Sequence, residues 1–187
     1  PPAMKVEVFC RLNKIPHTTV IAPRPGPHGR WPWIEHKGKT LVDSRRIIEY
    51  LTKEFGVTMD DGLSDEQRAT KAMLRRTTED HMYFCACRHF LVENPNWSRR
   101  HSQMAVPDFF LGALYDVVRQ NQIDALDAGT VGDLSVAEFN ADWLQDVKAV
   151  SSVLKQVAER SAAGGGKGPF LLGTPEPTEV DCVVYAH

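Results

Sequence analysis

Along this 187-residue chain the apolar positions change their spacing twice, and those changes divide it into segments. From Lys5 to Leu12, Val6, Phe9 and Cys10 recur at helical intervals. Pro1 and Pro2 suit the start of that helix, where a missing N–H costs little. Asn13-Lys14-Ile15-Pro16 ends it, and the β-branched run Thr18-Thr19-Val20-Ile21 predicts a strand. Pro23 to Gly29 predicts a loop. Trp31-Pro32-Trp33-Ile34-Glu35-His36 and Thr40-Leu41-Val42, joined through Lys37-Gly38-Lys39, predict an antiparallel hairpin. Asp43-Ser44 then caps a helix whose apolar face is Ile47, Ile48, Leu51 and Phe55, and Gly56 closes it.

Beyond Gly62 the alternating pattern gives way to helical periods alone. Ser64 with Gln67 forms a capping box beside Leu63 as an apolar staple, opening a helix from about Asp65 to about Phe90. Asn94 to Pro107 predicts a loop, and Asp108 to Gln122 another helix. Ser135 with Glu138 opens a long helix to about Glu159, whose stripe Trp143, Leu144, Val147, Val150 and Leu154 is assigned to the core. Ser161 to Gly168, with four glycines, reads as a flexible loop. Thr178 with Asp181 starts a last helix, Asp standing for the usual Glu. Residues 1–57 therefore read as one α/β domain and 63–187 as an all-helical one.

Composition narrows the function classes. With 42% hydrophobic and 25% charged residues the chain resembles an ordinary globular protein. A net charge of -2 supplies no basic field for nucleic acid. No apolar run approaches the roughly 18 residues of a membrane span. The four cysteines, Cys10, Cys85, Cys87 and Cys182, show no CxxC spacing, so neither a disulfide framework nor a zinc site is expected. Cys85 and Cys87, two apart on a helix, do not share a face. His81 and His89 are eight residues apart with no third ligand at helical spacing, so no metal is expected. A reduced, cytoplasmic setting follows as the expectation. The chain starts at Pro1 and stops inside an apolar run at His187, and it reads as a fragment trimmed at both ends.

The order helix, strand, hairpin, helix, then helices only, resembles that of a glutathione transferase. Trp31-Pro32-Trp33-Ile34 resembles the family's x-Pro-x-hydrophobic motif, whose proline follows a cis peptide bond. Asp43-Ser44 followed by Ile47-Ile48-x-Tyr50-Leu51, and Pro177-Thr178-x-x-Asp181, resemble two further family segments. Lys5-Val6-Glu7, His36-x-Gly38, Leu63-Ser64-x-Glu66-Gln67-Arg68-Ala69, Glu79-Asp80-His81-Met82-Tyr83 and Asn94-Pro95-x-Trp97 together resemble the failed-axon-connections branch, related to metaxins. The resemblance implies an α/β thioredoxin-like N-terminal domain, here lacking its first strand, plus an all-α glutathione-transferase C-terminal domain.

It also implies glutathione as co-substrate and a small electrophile as second substrate. Trp31 and Pro32 would offer a backbone edge to the peptide by strand addition. Ser44, at a helix start, suits the γ-glutamyl carboxylate, and Asp43 the ammonium group. Arg75, Arg76, Glu79, Tyr83 and Trp97 are the candidates against the second substrate. Aligned on Lys5-Val6-Glu7, the family's thiol-activating Ser falls immediately before Pro1, and its cysteine-type position falls on Ala3, which has no nucleophile. The alternative implied is a non-catalytic, metaxin-like interaction module in protein import or membrane recruitment, at the cytosolic face of the mitochondrial outer membrane. A homodimer is a further expectation from the family.

Overall fold

The computed structural model describes residues 2–21, 25–96, 108–127, 132–164 and 168–187. Helix α1 spans Pro2–Leu12 and buries Lys5, Val6, Phe9 and Cys10. The Asn13 amide donates to the Phe9 carbonyl at 2.8 Å, and Lys14 takes a positive φ of 52° that turns the chain. Ile15 returns to the core. The strand expected over 18–21 does not form, and Val20 is 74% exposed. A strand is stable only with a ladder partner and a face to bury. Among the described residues the sheet has just two strands, and 18–21 is neither.

Strands β1 (Trp33–His36) and β2 (Lys39–Val42) pair antiparallel, Trp33 opposite Val42 and His36 opposite Lys39. Their turn is two residues, shorter than the three expected. Lys37 and Gly38 both take positive φ, 49° and 72°, the backbone that matches strand twist. Helix α2 (Ser44–Phe55) follows at once. The Asp43 carboxylate accepts from the Arg45 and Arg46 N–H groups at 3.0 and 3.2 Å. Gly56 ends the helix in the left-handed region. Ile47, Ile48 and Leu51 bury, whereas Phe55 lies outside the core, its ring 5.5 Å from His36.

A long helical run occupies 65–93. It comprises α3 (Asp65–Arg76), a wider π-type stretch (Thr77–Met82), α4 (Tyr83–Cys87) and a second π-type stretch (Arg88–Glu93). Ser64 and Gln67 form the expected reciprocal cap. The position that would complete an apolar staple is Arg68, whose guanidinium donates to the Leu63 carbonyl instead. The next helices are α5 (Asp108–Asp127), α6 (Val136–Ala162) and α7 (Glu179–Ala186).

The α6 stripe is rotated from its expected position. Phe139, Val150 and Val157 are the buried residues. At 100° per residue, Val150 and Val157 fall within about 20° of Phe139, while Leu144, Val147 and Leu154 fall about 60–140° round. Those three are exposed, Leu144 at 50%. Trp143 is half-buried against Phe139 and His89.

Helix α7 wedges between two apolar clusters. Cys182 joins the cluster of α1, α2 and Ile15. Val180 joins Leu63, Leu74, Val150, Leu171 and Leu172. Residues two apart on a helix face different ways, so a short helix serves both cores. A third cluster joins Cys85, Leu126 and Phe139. Beside it the buried Arg88 lies 4.7 Å over the Phe139 ring and donates to the Leu134 carbonyl. A two-stranded sheet followed by helices fits a thioredoxin-like part plus a helical glutathione-transferase part. No helix of the described residues is long and apolar enough to cross a membrane.

Candidate functional site

A cavity of about 510 Å³ opens where three parts of the chain meet. Its near wall is the first turn of α1, Pro2 and Ala3, together with Gly29 to Pro32. Its far wall is Tyr83, Cys87 and Leu91 on the long helix, with Asn121 and Gln122 of α5 at the end. The Trp31–Pro32 peptide is cis. The loop before it is held by Gly26, whose N–H donates to the Arg30 carbonyl at 3.1 Å. A Cβ on Gly26 would stand 2.5 Å from Cγ of Trp33, so glycine alone lets the loop lie over that ring.

The residues anticipated from the sequence do not all gather here. Trp31, Pro32 and Tyr83 line the cavity. Asp43 and Ser44 stand at the start of α2, outside its lining, with Asp43 engaged as the helix cap. Arg76 turns outward to Asp80 at 3.4 Å. Arg75 lies 4.0 Å from Glu79, whose carboxylate pairs with Lys5. None of these three lines the cavity. Ala3 does, and presents only a methyl group. Trp97 and Pro1 lie outside the described residues.

The family model of the glutathione S-transferase N-terminal domain matches residues 1–96, just over half of the chain and most of the cavity wall. The chain belongs to that glutathione S-transferase family. The isoprene-epoxide glutathione S-transferase of Rhodococcus sp. (strain AD45) is 41% identical over 59 residues, 31% of this chain and 25% of that protein. The match thus spans a quarter of that relative's length. No solved structure matches the chain.

Among the residues that line the cavity, sequence reasoning missed Arg30, Cys87, Leu91, Asn121 and Gln122. One signal was available. Cys87 and Leu91 follow Tyr83 at i+4 and i+8. In an unbroken α-helix that spacing drifts round the axis by about 40° per step. The π-type stretch from Arg88 advances each residue by less than an α-turn does, which returns Leu91 toward the face of Tyr83. Asn121 and Gln122 carry no local signal, because only the packing of α5 brings them here.

Tyr83 and Cys87 keep their protons at neutral pH. Burial raises the Tyr83 phenol, with the nearby Cys87 adding to it. Burial also raises the Cys87 thiol, which the Tyr83 hydrogen bond partly offsets. Tyr83 is therefore a hydrogen-bond donor in a mostly apolar wall. Among the described residues, no group of three or more His, Cys, Asp or Glu is placed to hold a metal ion. His81 instead ties the long helix to α6, its Nδ1 2.6 Å from Asp146 and its Nε2 3.2 Å from Asp142. A second cavity of about 570 Å³, lined by Ser64, Gln67, Val157 and Leu172 among others, shares no residue with the first.

Proposed function

We propose that this chain binds glutathione in the 510 Å³ cavity and conjugates it through its sulfur to a small apolar electrophile, epoxides among them. The observation that carries the reading is the meeting of Trp31–Pro32 with Tyr83 and Leu91 around one cavity in a glutathione S-transferase family chain. The relative's printed substrate, an isoprene epoxide, supports the electrophile class.

In this reading the peptide runs along the Trp31 backbone by strand addition. Its γ-glutamyl end leaves the cavity toward the start of α2. There the Ser44 hydroxyl and the positive end of the α2 dipole favour the carboxylate, while Asp43 caps the Arg45 and Arg46 N–H groups. The electrophile lies against Tyr83 and Leu91. With an epoxide, the sulfur–carbon bond forms as the ring carbon–oxygen bond breaks. The thiol proton ends on the released oxygen, which the Tyr83 hydroxyl hydrogen-bonds as charge develops there. Ala3 cannot stabilise the thiolate, so that task falls to a residue preceding Pro1 or to backbone N–H groups at the start of α1. Residues 1–57 act as the glutathione-binding domain and 63–187 as the helical domain facing the electrophile.

Isothermal titration with glutathione, followed by mass spectrometry of products from a small epoxide and from 1-chloro-2,4-dinitrobenzene, tests this. Heat of binding and a thioether product are expected. Absence of binding at millimolar glutathione overturns the reading and leaves the non-catalytic interaction module in its place.

A further inference from the structure

The two walls of the cavity belong to elements that share no apolar cluster among the described residues. Pro2 and Ala3 sit in α1, whose buried face packs on α2, Ile15 and Cys182. Tyr83 and Cys87 sit in α4, and the apolar residues of the long helix pack into the other two clusters. Among the described residues a charge pair joins α1 directly to the long helix, the Lys5 ammonium donating to the Glu79 carboxylate. Lys5 is 1% exposed and Glu79 20%. The Arg75 guanidinium stands 4.0 Å from the second Glu79 oxygen. Lys5 follows Ala3 by two residues and Glu79 precedes Tyr83 by four, one helical turn.

We propose that Lys5 and Glu79 are a positioning pair that sets the separation between the Pro2–Ala3 wall and the Tyr83–Cys87 wall. The physical case rests on what buried ion pairs do. Desolvation consumes most of their attraction, so they add little net stability over apolar residues of the same volume. A charge-assisted hydrogen bond is nevertheless short and directional, and it permits one distance between its elements where apolar side chains can slide. Its place behind the cavity, one short step from each wall, converts that single distance into a cavity width. The functional consequence rests on the reading of the cavity as the glutathione site, whereas the geometric claim does not.

The test uses the native thiols as reporters. Cys87 lines the cavity, and Cys10, Cys85 and Cys182 are buried in the clusters. Alkylation by iodoacetamide is followed for each cysteine by peptide mass spectrometry in the wild type and in Lys5→Met/Glu79→Met, where two apolar side chains replace the pair. The Cys87 rate is expected to rise about tenfold, the factor given by about 1.4 kcal/mol of local opening. The rates of Cys10 and Cys182 are expected to stay at their wild-type values. An unchanged Cys87 rate overturns the proposal. So does a rise shared equally by all four cysteines in Glu79→Gln, a near-isosteric variant that keeps the fold if the double variant does not. Such a rise would assign the pair to global stability alone. Glutathione titration of the same variants is read separately. Wild type that binds no glutathione overturns the proposed function, while selective Cys87 labelling still supports the positioning pair.

Discussion

Replacing Asp181 by alanine removes one carboxylate on which three buried donors converge. Its Oδ2 accepts from the Thr178 N–H and the Thr178 hydroxyl, each at 2.7 Å, and its Oδ1 accepts from the Leu171 N–H at 2.9 Å. Thr178 is 1% exposed and Leu171 4%, so solvent cannot readily take over. A hydrogen bond to a charged group contributes roughly 1.5–3 kcal/mol, and each orphaned buried donor costs roughly 1–3 kcal/mol. Three such losses sum to about 3–9 kcal/mol. Water entering the space left by the carboxylate recovers part, which places the expected loss near about 4 kcal/mol. The consequence spreads because α7 carries the fully buried Val180 and Cys182 into two clusters at once. Urea unfolding of wild type, Asp181→Ala and Asp181→Asn, read by far-UV circular dichroism with a common slope, measures it. The asparagine variant keeps one acceptor oxygen and should lose about half as much. A loss below about 1 kcal/mol for alanine would refute the reasoning, since it would mean that the three donors find other partners.

Tyr83→Phe should lower kcat for an epoxide by about ten- to a hundredfold, the loss of one hydrogen bond to an oxygen on which charge develops, and leave KM for glutathione unchanged. Steady-state kinetics in both substrates read it. Gly26→Ala must move the Trp33 ring, 2.5 Å from the new carbon, and should cost about 1–3 kcal/mol in chemical unfolding. Glu7 is held at about 2, below its usual 4.5, first by the Thr19 hydroxyl and then by Arg11. Its stabilisation is present above pH 4.5 and is lost as pH falls toward 2. His17 is raised from 6.5, chiefly by the Ile15 carbonyl and then by Glu7, so its share is complete below pH 6.5 and is lost as pH rises through the higher folded value. The Tm difference between wild type and Glu7→Gln should therefore be widest between pH 4.5 and 6.5 and close toward pH 2. A gap independent of pH would contradict it.

Legibility followed the range of each interaction. The three capping boxes, the Asp43 cap and the Gly56 stop are all present, and the hairpin turn forms with one residue fewer than expected; each rests on residues at most four apart. Those forces are local, so a short stretch of sequence states them completely. Of the residues anticipated for a site, Trp31, Pro32 and Tyr83 line the cavity, whereas Leu91 is brought to that face by the π-type stretch that begins at Arg88.

Burial is where local reading stopped. Val20-Ile21, Phe55 and Leu144 are apolar and at positions that suggest a core, yet among the described residues nothing buries them. Lys5 has the opposite history, a cation in a helical pattern that ends 1% exposed because Glu79, 74 residues away, meets it. By itself the sequence determined where the helices begin and that a hairpin precedes the second of them, and the family to which their order belongs. Only the tertiary structure decided which faces are covered, which carboxylate meets Lys5, and that α5 closes the cavity with Asn121 and Gln122. Caps and turns are satisfied within one turn of chain, while burial and cavity walls depend on segments that only folding makes neighbours.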